Sequence, residues 1–329
     1  MANFFITGST GFIGGHLVRR LLDGNHTLWC LVHRRDPDVP YIPGVRWVEG
    51  DLCDPRSYEY AVKTADAVIH LAGRIHARKR DEYFQTNVVG TDLLLKVCRN
   101  APSLKRFVHM SSIAVMGPSV DGRLLKESDS CNPQSEYGKS KWMAEQKVLE
   151  VSPSIPTVIL RPAFVYGRGD LRGLNVLQSH VQSGSSVWAR TIGTFSLCHV
   201  SDVVESCVLS VEKRVPSGEI YIVSSPEILT TSRMTEVLNR LFQEFFPGLF
   251  TEGNGFFFPP KPAERPDFGN NKNGNHHSWG CDTCKAEKEL DFHPKMIFEA
   301  GARDTIRWYM DEGLFQLGRP NLGKDQRSC

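Results

Sequence analysis

The sequence predicts an α/β protein in which helices flank a parallel, doubly wound sheet. Strand-like and helix-like segments alternate along the first two thirds of the 329 residues, which is the order that such a sheet requires. The first apolar run turns directly into an amphipathic helix through a glycine-rich stretch, residues 7–14, and a second strand follows. A strand, a tight turn, a helix and a second strand form a βαβ unit, whose two strands lie parallel.

The predicted strands are short runs of apolar, β-branched or aromatic residues between polar turns. They are residues 3–6, 27–32, 46–48, 67–70, 106–110, 157–160 and 221–223. The predicted helices are residues 12–22, 81–98, 135–149, 233–245 and 294–310. Crossovers between parallel strands are expected to be right-handed. Residues 269–277 are polar enough to predict a surface loop.

The glycine-rich turn is the most informative feature of the chain. Glycines allow a tight turn and a close approach of the backbone to phosphates, and the free N–H groups at a helix start supply positive partial charge. In the setting of a βαβ unit, this turn predicts a dinucleotide site of the Rossmann type rather than a merely tight connection. The predicted cofactor contacts in the turn are Gly8, Thr10, Gly11, Phe12, Ile13 and Gly14.

The end of the second strand favours NADP over NAD. An NAD site would place a carboxylate there for the ribose 2′-hydroxyl, but Arg34 and Arg35 stand at this point. Two cations suit a 2′-phosphate, and both are predicted cofactor contacts. Asp36 follows directly, so NAD stays possible, and a solvated basic loop is the alternative interpretation.

Composition is typical of a soluble cytoplasmic enzyme that acts on a small molecule. Basic and acidic side chains number 39 and 37, so the net charge of +2 implies no nucleic-acid partner. A membrane span needs about 18 apolar residues in a row, and neither such a run nor a secretory leader is predicted. Nine cysteines, an odd number, are expected to stay reduced. The sequence leaves the oligomeric state open, and a homodimer is allowed.

Acid–base chemistry is predicted for Tyr137, Lys141 and Ser112. Tyr137 and Lys141 lie four residues apart on a predicted helix, so both project from one face. The ammonium is expected to lower the tyrosine pKa toward neutrality, which would give a proton donor for a carbonyl. Lys141 can also bind the nicotinamide ribose. Ser112 ends a predicted central strand, where it can hold a substrate oxygen. The alternative interpretation of the Tyr137–Lys141 pair is an exposed face of an amphipathic helix.

Together these motifs resemble the extended short-chain dehydrogenases/reductases over nearly the whole chain. The glycine turn has the family's Thr-Gly-x-x-Gly-x-x-Gly form, and Tyr137 to Lys141 supplies its Tyr-x-x-x-Lys pair. Residues 111–117 resemble the serine strand, in which Ser112 aligns with the catalytic position. The nearest likeness is to epimerase/dehydratase-like members and to the 3β-hydroxysteroid dehydrogenase/dihydroflavonol reductase-like branch.

The resemblance implies further residues and a division of the chain. Asn87 is implied as a catalytic-site and cofactor-site residue that supports Lys141 from behind through a water or the main chain. Other implied cofactor contacts are Asp51, Leu52, Leu71, Ala72, Gly73, Pro162, Ala163 and Val165. Residues 1–166, completed by about 199–224, are expected to form the NAD(P)-binding domain. Residues 167–198 and 225–329 are expected to form a smaller substrate-binding subdomain.

Departures from the family pattern favour a reductase. Sugar-nucleotide dehydratases place an Asp-Glu pair directly after the catalytic hydroxyl, where this chain has Ile113 and Ala114. Phe195 stands where epimerases carry an arginine for the diphosphate, although Arg265 resembles a second nucleotide-contacting arginine. Phe195 and residues 256–258 are expected to wall an apolar substrate pocket.

The expected function is therefore NADPH-linked interconversion of a carbonyl and an alcohol on a partly apolar small molecule. A nucleotide-sugar 4-epimerase with tightly bound NAD is the first alternative, and a non-catalytic NADP-sensing regulator is the second. The cluster of His276, His277, Cys281 and Cys284 offers zinc ligands. Its spacing is too short for a usual zinc finger, so no metal is predicted.

Overall fold

A computed structural model describes residues 2–33, 41–119, 121–173, 193–247 and 277–314. Its main sheet has seven parallel strands in the order β3-β2-β1-β4-β5-β6-β9. Their bounds are β1 Asn3–Thr7, β2 Thr27–Val32, β3 Val45–Glu49, β4 Ala67–His70, β5 Arg106–Met110, β6 Thr157–Pro162 and β9 Glu219–Val223. Each of the seven predicted strands is present, and the predicted parallel α/β fold is confirmed.

Helices cover both faces of this sheet, which is why the central strands β4, β5 and β6 are buried along their whole length. The helices of the described residues are α1 Phe12–Leu22, α2 Glu59–Lys63, α3 Arg80–Phe84, α4 Thr91–Cys98, α5 Glu136–Val151, α6 Val200–Glu212, α7 Thr231–Phe245, α8 Cys284–Leu290 and α9 Phe298–Asp311. On one face Leu17 of α1 packs with Val203 of α6, and on the other Leu94 of α4 packs with Val148 of α5.

The strand order reverses at β1, which lies between β2 and β4. Open α/β sheets bind ligands in the crevice at the carboxyl ends of the strands, at the point where the order reverses. The glycine turn follows β1 directly, so the predicted cofactor site lies at this switch point.

A second, smaller sheet of four strands contains Phe195. Strand β8 Gly193–His199 pairs with β7 Phe164–Tyr166, β10 Ile228–Thr230 and β11 His277–Trp279. An apolar core beneath it includes Phe195, Trp279 and residues of α7 and α9. Neither this sheet nor helix α6 was predicted from the sequence. The predicted division into two domains stays a prediction.

Two predicted helices differ in detail from the structure. Residues 81–98 are helical as predicted, but residues 85–90 form a π-helical turn between α3 and α4. The helix predicted to begin at residue 294 begins at Phe298. Asp291 takes a left-handed conformation at the end of α8, and the Asp202 carboxylate binds the N–H groups of Lys295 and Met296 at 3.1 and 3.2 Å. These contacts hold the segment between α8 and α9 out of the helix.

Residues 269–276 of the predicted polar loop lie outside the described residues, and His277 begins β11. Within the part of the chain that the structure describes, no helix is both long enough and apolar enough to cross a membrane.

Candidate functional site

The glycine turn packs so closely against neighbouring backbone that larger side chains would not fit. Gly8 has a φ of +74°, and a Cβ there would lie 2.7 Å from the backbone nitrogen of Ala72. A Cβ on Gly14 would overlap the carbonyl oxygen of Gly8. Helix α1 begins after Gly11 with no acidic residue in its first turn and no side-chain cap. The N–H groups of this helix start are therefore suited to an anion, and the turn fits a dinucleotide pyrophosphate.

A directional chain of hydrogen bonds joins this turn to the helix that contains Asn87. The Ala72 N–H donates to the Thr7 hydroxyl at 3.1 Å, and Thr7 contacts Nδ1 of His70 at 2.6 Å. Nε2 of His70 lies 2.8 Å from the Thr91 hydroxyl, which itself donates to the carbonyl of Asn87. Because Thr91 uses its proton on Asn87, it accepts from Nε2–H of His70, whose Nδ1 then accepts from Thr7. Burial lowers the pKa of His70 to about 3, so the ring stays neutral and the chain intact.

Asn87 lies in the π-helical turn and bonds to two segments of the predicted site. Its Oδ1 accepts from the Arg74 N–H at 2.7 Å, and its Nδ2 donates to the Arg74 carbonyl at 3.0 Å. The same Nδ2 donates to the hydroxyl of Ser140 at 2.8 Å, and Ser140 donates to the carbonyl of Tyr137. Asn87 thus couples the segment after β4 to helix α5, and its support of Lys141 stays a prediction.

Tyr137 and Lys141 both lie on α5, which Ser135 caps by accepting from the N–H of Gly138 at 3.0 Å. Tyr137 is half-buried, beside Ser112 and with the Tyr83 ring centroid 6.4 Å away. Burial raises the pKa of Tyr137, and a hydrogen bond with Ser112 opposes this rise in part. The expectation that Lys141 lowers this pKa toward neutrality is therefore wrong for this structure. The phenol keeps its proton at neutral pH.

Lys141 is almost completely buried, 3% exposed. Burial lowers its pKa to about 8, and the charge of Glu145 acts in the opposite direction. A Cβ on Gly73 would lie 3.8 Å from Nζ of Lys141, so the ammonium borders the predicted cofactor segment 71–73.

The two serines that follow β5 point to different places, as successive residues of an extended chain do. Ser112 has a φ of −166°, accepts from the Ala114 N–H at 3.2 Å, and lies beside Tyr137. Ser111 is buried and donates to the Glu145 carboxylate. This difference supports the assignment of the catalytic position to Ser112 rather than to Ser111.

A buried ion pair that the sequence patterns did not predict lies beneath these residues. Glu145 is fully buried and accepts from Nε and Nη2 of Arg161 at 2.9 and 2.7 Å. The sequence did contain a signal for this ion pair, because Glu145 lies four residues after Lys141 on the face of α5 that packs against the sheet. A charged residue on such a face indicates a partner.

His109 was missed as well. Its ring is fully buried, 5.4 Å from that of His70 between centroids, and burial holds its pKa well below the usual range. Among the described residues neither ring nitrogen has a hydrogen-bond partner.

The implied cofactor contacts outside the turn lie along the same edge of the sheet. Asp51 follows β3, and its carboxylate accepts from the Cys53 N–H at 2.8 Å, while Leu52 is buried against the helix face at Gly90. Three of these contacts lie at or just after the end of β6, namely Pro162, Ala163 and Val165.

Of the residues predicted to line the substrate pocket away from the serine and tyrosine, the structure describes Phe195. Phe195 is 2% exposed, and its ring lies 5.8 Å from that of Phe164. It is a core residue of the second sheet, and its role as a pocket wall stays a prediction. Arg34, Arg35, Arg265 and residues 256–258 lie outside the described residues.

Arg172 provides a cation near Tyr137. Its charge opposes the rise of the Tyr137 pKa, and its Nη1 lies 3.3 Å from Nε2 of His76. A guanidinium only donates, so Nε2 of His76 accepts in this contact.

The described residues bring together no group of three or more potential metal ligands. Of the four candidate zinc ligands, Cys281 is buried and Cys284 is exposed. His276 and the side chain of His277 lie outside the described residues.

The chain is similar to one protein-family model and to several known proteins. The family model described as the NAD dependent epimerase/dehydratase family matches residues 4–224. The chain is 30% identical over 230 residues to 4-hydroxy-2-methyl-3-oxo-4-farnesyl-3,4-dihydroquinoline-1-oxide ketoreductase of Stigmatella aurantiaca, covering 67% of each chain. It is 30% identical over 255 residues to 2-alkyl-3-oxoalkanoate reductase of Stenotrophomonas maltophilia, covering 72% of this chain and 73% of the relative.

Among solved structures, UDP-glucose 4-epimerase of Thermotoga maritima with UDP-glucose superposes with a TM-score of 0.75. Its sequence identity is 21%, and the match covers 94% of this chain and 99% of that one. At this identity the likeness concerns the fold alone.

Proposed function

Because the chain belongs to the NAD dependent epimerase/dehydratase family, we propose that it is a cytoplasmic, NADPH-linked reductase of a partly apolar carbonyl compound. The observation that carries this proposal is the placement of Ser112, Tyr137 and Lys141 at the carboxyl edge of the sheet, where the glycine turn lies. A proton donor, an oxygen-binding hydroxyl and a ribose-binding cation are the groups that carbonyl reduction needs from the protein.

Each of the three residues has a distinct role in this proposal. NADPH, when bound, supplies the hydride. Tyr137, whose phenol is protonated at neutral pH because its pKa lies above the neutral range, donates its proton to the carbonyl oxygen. Ser112 donates a hydrogen bond to the same oxygen and so orients it. Lys141 holds the ribose hydroxyls with an ammonium that borders Gly73.

The cofactor is held by backbone more than by side chains. The glycine turn and the start of α1 would bind the pyrophosphate, since Gly8, Gly11 and Gly14 allow the tight turn that leads into the free N–H groups of the helix start. Asp51 and Leu52 would border the adenine. NADP rather than NAD rests on Arg34 and Arg35, whose positive charges suit a 2′-phosphate.

An apolar substrate is supported by aromatic residues and by the names of two relatives. Phe195 and residues 256–258 are proposed to wall the pocket. The two curated relatives act, by their names, on a farnesyl-bearing quinoline oxide and on an alkyl-substituted oxoalkanoate. Both names describe a ketone attached to hydrocarbon.

A nucleotide-sugar 4-epimerase with tightly bound NAD is the second candidate. The position of Arg172 beside Tyr137 favours it, because a guanidinium near the reacting carbon can bind a phosphate. Arg265 would be a second cation. A non-catalytic NADP sensor is the third candidate, but a sensor needs no proton donor, and Ser112, Tyr137 and Lys141 are all intact.

Identifying the cofactor that the protein carries separates these candidates. The protein is purified without oxygen, denatured, and its released nucleotide is analysed by mass spectrometry, with Tyr137→Phe purified in parallel. We expect exchangeable NADPH, and then NADPH consumption with long-chain 3-oxo acids that stops in Tyr137→Phe. Stoichiometric NAD that survives dialysis would instead support the epimerase. Bound NADPH without turnover of any carbonyl compound would support the sensor.

A further inference from the structure

One buried carboxylate connects the three segments that carry the proposed catalytic groups. Glu145 lies on α5, two turns after Tyr137 and one turn after Lys141. Its oxygens accept from the hydroxyl of Ser111, the residue before Ser112, and from the guanidinium of Arg161, the residue before Pro162. The helix, the serine strand and the segment predicted beside the nicotinamide therefore meet at this carboxylate.

The geometry makes this contact rigid. Glu145 and Arg161 are 0% and 3% exposed, and two N–H···O bonds, one to each carboxylate oxygen, hold them together. The outer guanidinium nitrogens of Arg161 contact the sulfur atoms of Met116 and Cys131 at 2.9 and 3.2 Å. Bidentate pairs of this kind fix orientation as well as distance.

Glu145 is also the acidic group whose charge reaches Lys141. The titratable neighbours of Lys141 on the adjacent strands are His70 on β4 and His109 on β5, and burial lowers the pKa of both, so they stay neutral. Tyr137 on the same helix keeps its proton. Burial lowers the pKa of Lys141 to about 8, and the charge of Glu145 opposes a further decrease.

We propose that Glu145 is a positioning residue for the reaction: through Ser111 and Arg161 it fixes Ser112 and the nicotinamide segment against α5, and its carboxylate, one helical turn from Lys141, stabilises the buried ammonium. This inference rests on the proposed function, in which Lys141 binds the cofactor ribose. The alternative is a purely structural ion pair, since buried pairs often contribute little net stability. Only the positioning role predicts a change in the titration of Lys141.

The test is a fluorescence titration of NADPH against wild type and Glu145→Gln between pH 6 and 9.5. Glutamine keeps the shape and removes the charge. In wild type we expect the affinity to fall as pH rises through about 8, where Lys141 loses its proton. In Glu145→Gln the carboxylate charge that opposes the effect of burial on Lys141 is lost, so this decrease should move to lower pH by about one unit. Lys141→Met should abolish it.

Glu150→Gln is the matched control, because it makes the same chemical change on an exposed part of α5, where Glu150 pairs with Lys147. Its titration should superimpose on that of wild type. If Glu145→Gln does not fold, the double variant Glu145→Met/Arg161→Met replaces it, since apolar residues of similar size usually preserve a core. It should also shift the decrease in affinity to lower pH.

The outcomes distinguish the inference from its premise. A wild-type affinity without the decrease near pH 8, or a decrease that Lys141→Met retains, overturns the proposed role of Lys141 and the inference with it. A decrease that Lys141→Met abolishes but that stays in place in the folded Glu145 variant overturns the inference alone, and the pair is then purely structural.

Discussion

The side-chain amide of Asn87 donates to the hydroxyl of Ser140 across 2.8 Å and so ties the π-helical turn to α5. Single π-helical turns inside α-helices recur at functional sites. Here the turn places one amide group between the backbone of Arg74 and the helix that carries Tyr137. The relation links the segment predicted to border the cofactor with the proposed proton donor.

Replacing Asn87 should destabilise the protein strongly. Asn87→Ala removes three hydrogen bonds, two to the Arg74 backbone and one to the buried Ser140 hydroxyl. Each buried polar group left unpaired costs about 1–3 kcal/mol. Urea unfolding followed by circular dichroism measures the change in free energy. Asn100→Ala is the control, because Asn100 is exposed and makes one hydrogen bond within its own helix end. Equal effects of the two changes would contradict the coupling described here.

Two adjacent glycines should differ sharply in their tolerance of alanine. A Cβ on Gly14 overlaps the Gly8 carbonyl, whereas a Cβ on Gly15 meets nothing within 4 Å. Gly14→Ala should therefore distort the turn and weaken NADPH binding by tenfold or more. Gly15→Ala should bind the cofactor normally and gain up to about 1 kcal/mol of stability. Cofactor titration and thermal melting check both, and comparable cofactor affinities in the two variants would refute the assignment of the turn.

Tyr137→Phe should abolish reduction while leaving cofactor affinity nearly unchanged, because it removes only the proton donor. A general acid contributes typically about 10²–10⁴ in rate. Lys141→Met should lose both turnover and cofactor affinity, since two roles are proposed for it. Stopped-flow NADPH oxidation and fluorescence titration measure the two effects. Tyr60→Phe, on an exposed tyrosine, serves as the control, and near wild-type turnover in Tyr137→Phe would disprove the assignment.

Cofactor choice should depend on Arg34 and Arg35. Their joint replacement by serine should weaken NADPH far more than NADH, because charge-assisted bonds to a phosphate contribute roughly 1.5–3 kcal/mol each. Arg56→Ser, whose side chain is largely exposed, should change neither affinity. Fluorescence titration of both nucleotides decides the matter, and equal losses for NADPH and NADH would mean that the arginines are ordinary surface residues.

The substrate should carry no nucleotide diphosphate. Phe195 stands at the position where epimerases offer an arginine, and a buried diphosphate without a charged partner costs several kcal/mol. Isothermal titration of UDP, GDP and dTDP against the NADPH-loaded protein should show no binding at micromolar concentrations. Micromolar binding that Arg172→Met removes would instead support the epimerase and assign the diphosphate to Arg172.

The strands, the glycine turn and the Tyr137–Lys141 spacing follow from the sequence by itself. Each depends on residues within a few positions of one another: an apolar run that fits a buried strand, glycines where a Cβ has no room, and two residues one helical turn apart. Local patterns of this kind survive in the folded chain because burial of the same faces stabilises them.

Only the tertiary structure decided which distant residues meet and in which direction the pKa of Tyr137 shifts. Contacts between distant residues are absent from any local sequence pattern. Glu145 meets Ser111 and Arg161 from 34 and 16 residues away, and Asp202 holds the backbone 93 residues further on, where a helix was predicted. The pKa of Tyr137 is raised and not lowered, because burial outweighs the nearby charges. Desolvation depends on what covers a group, and that is known only when the chain has folded.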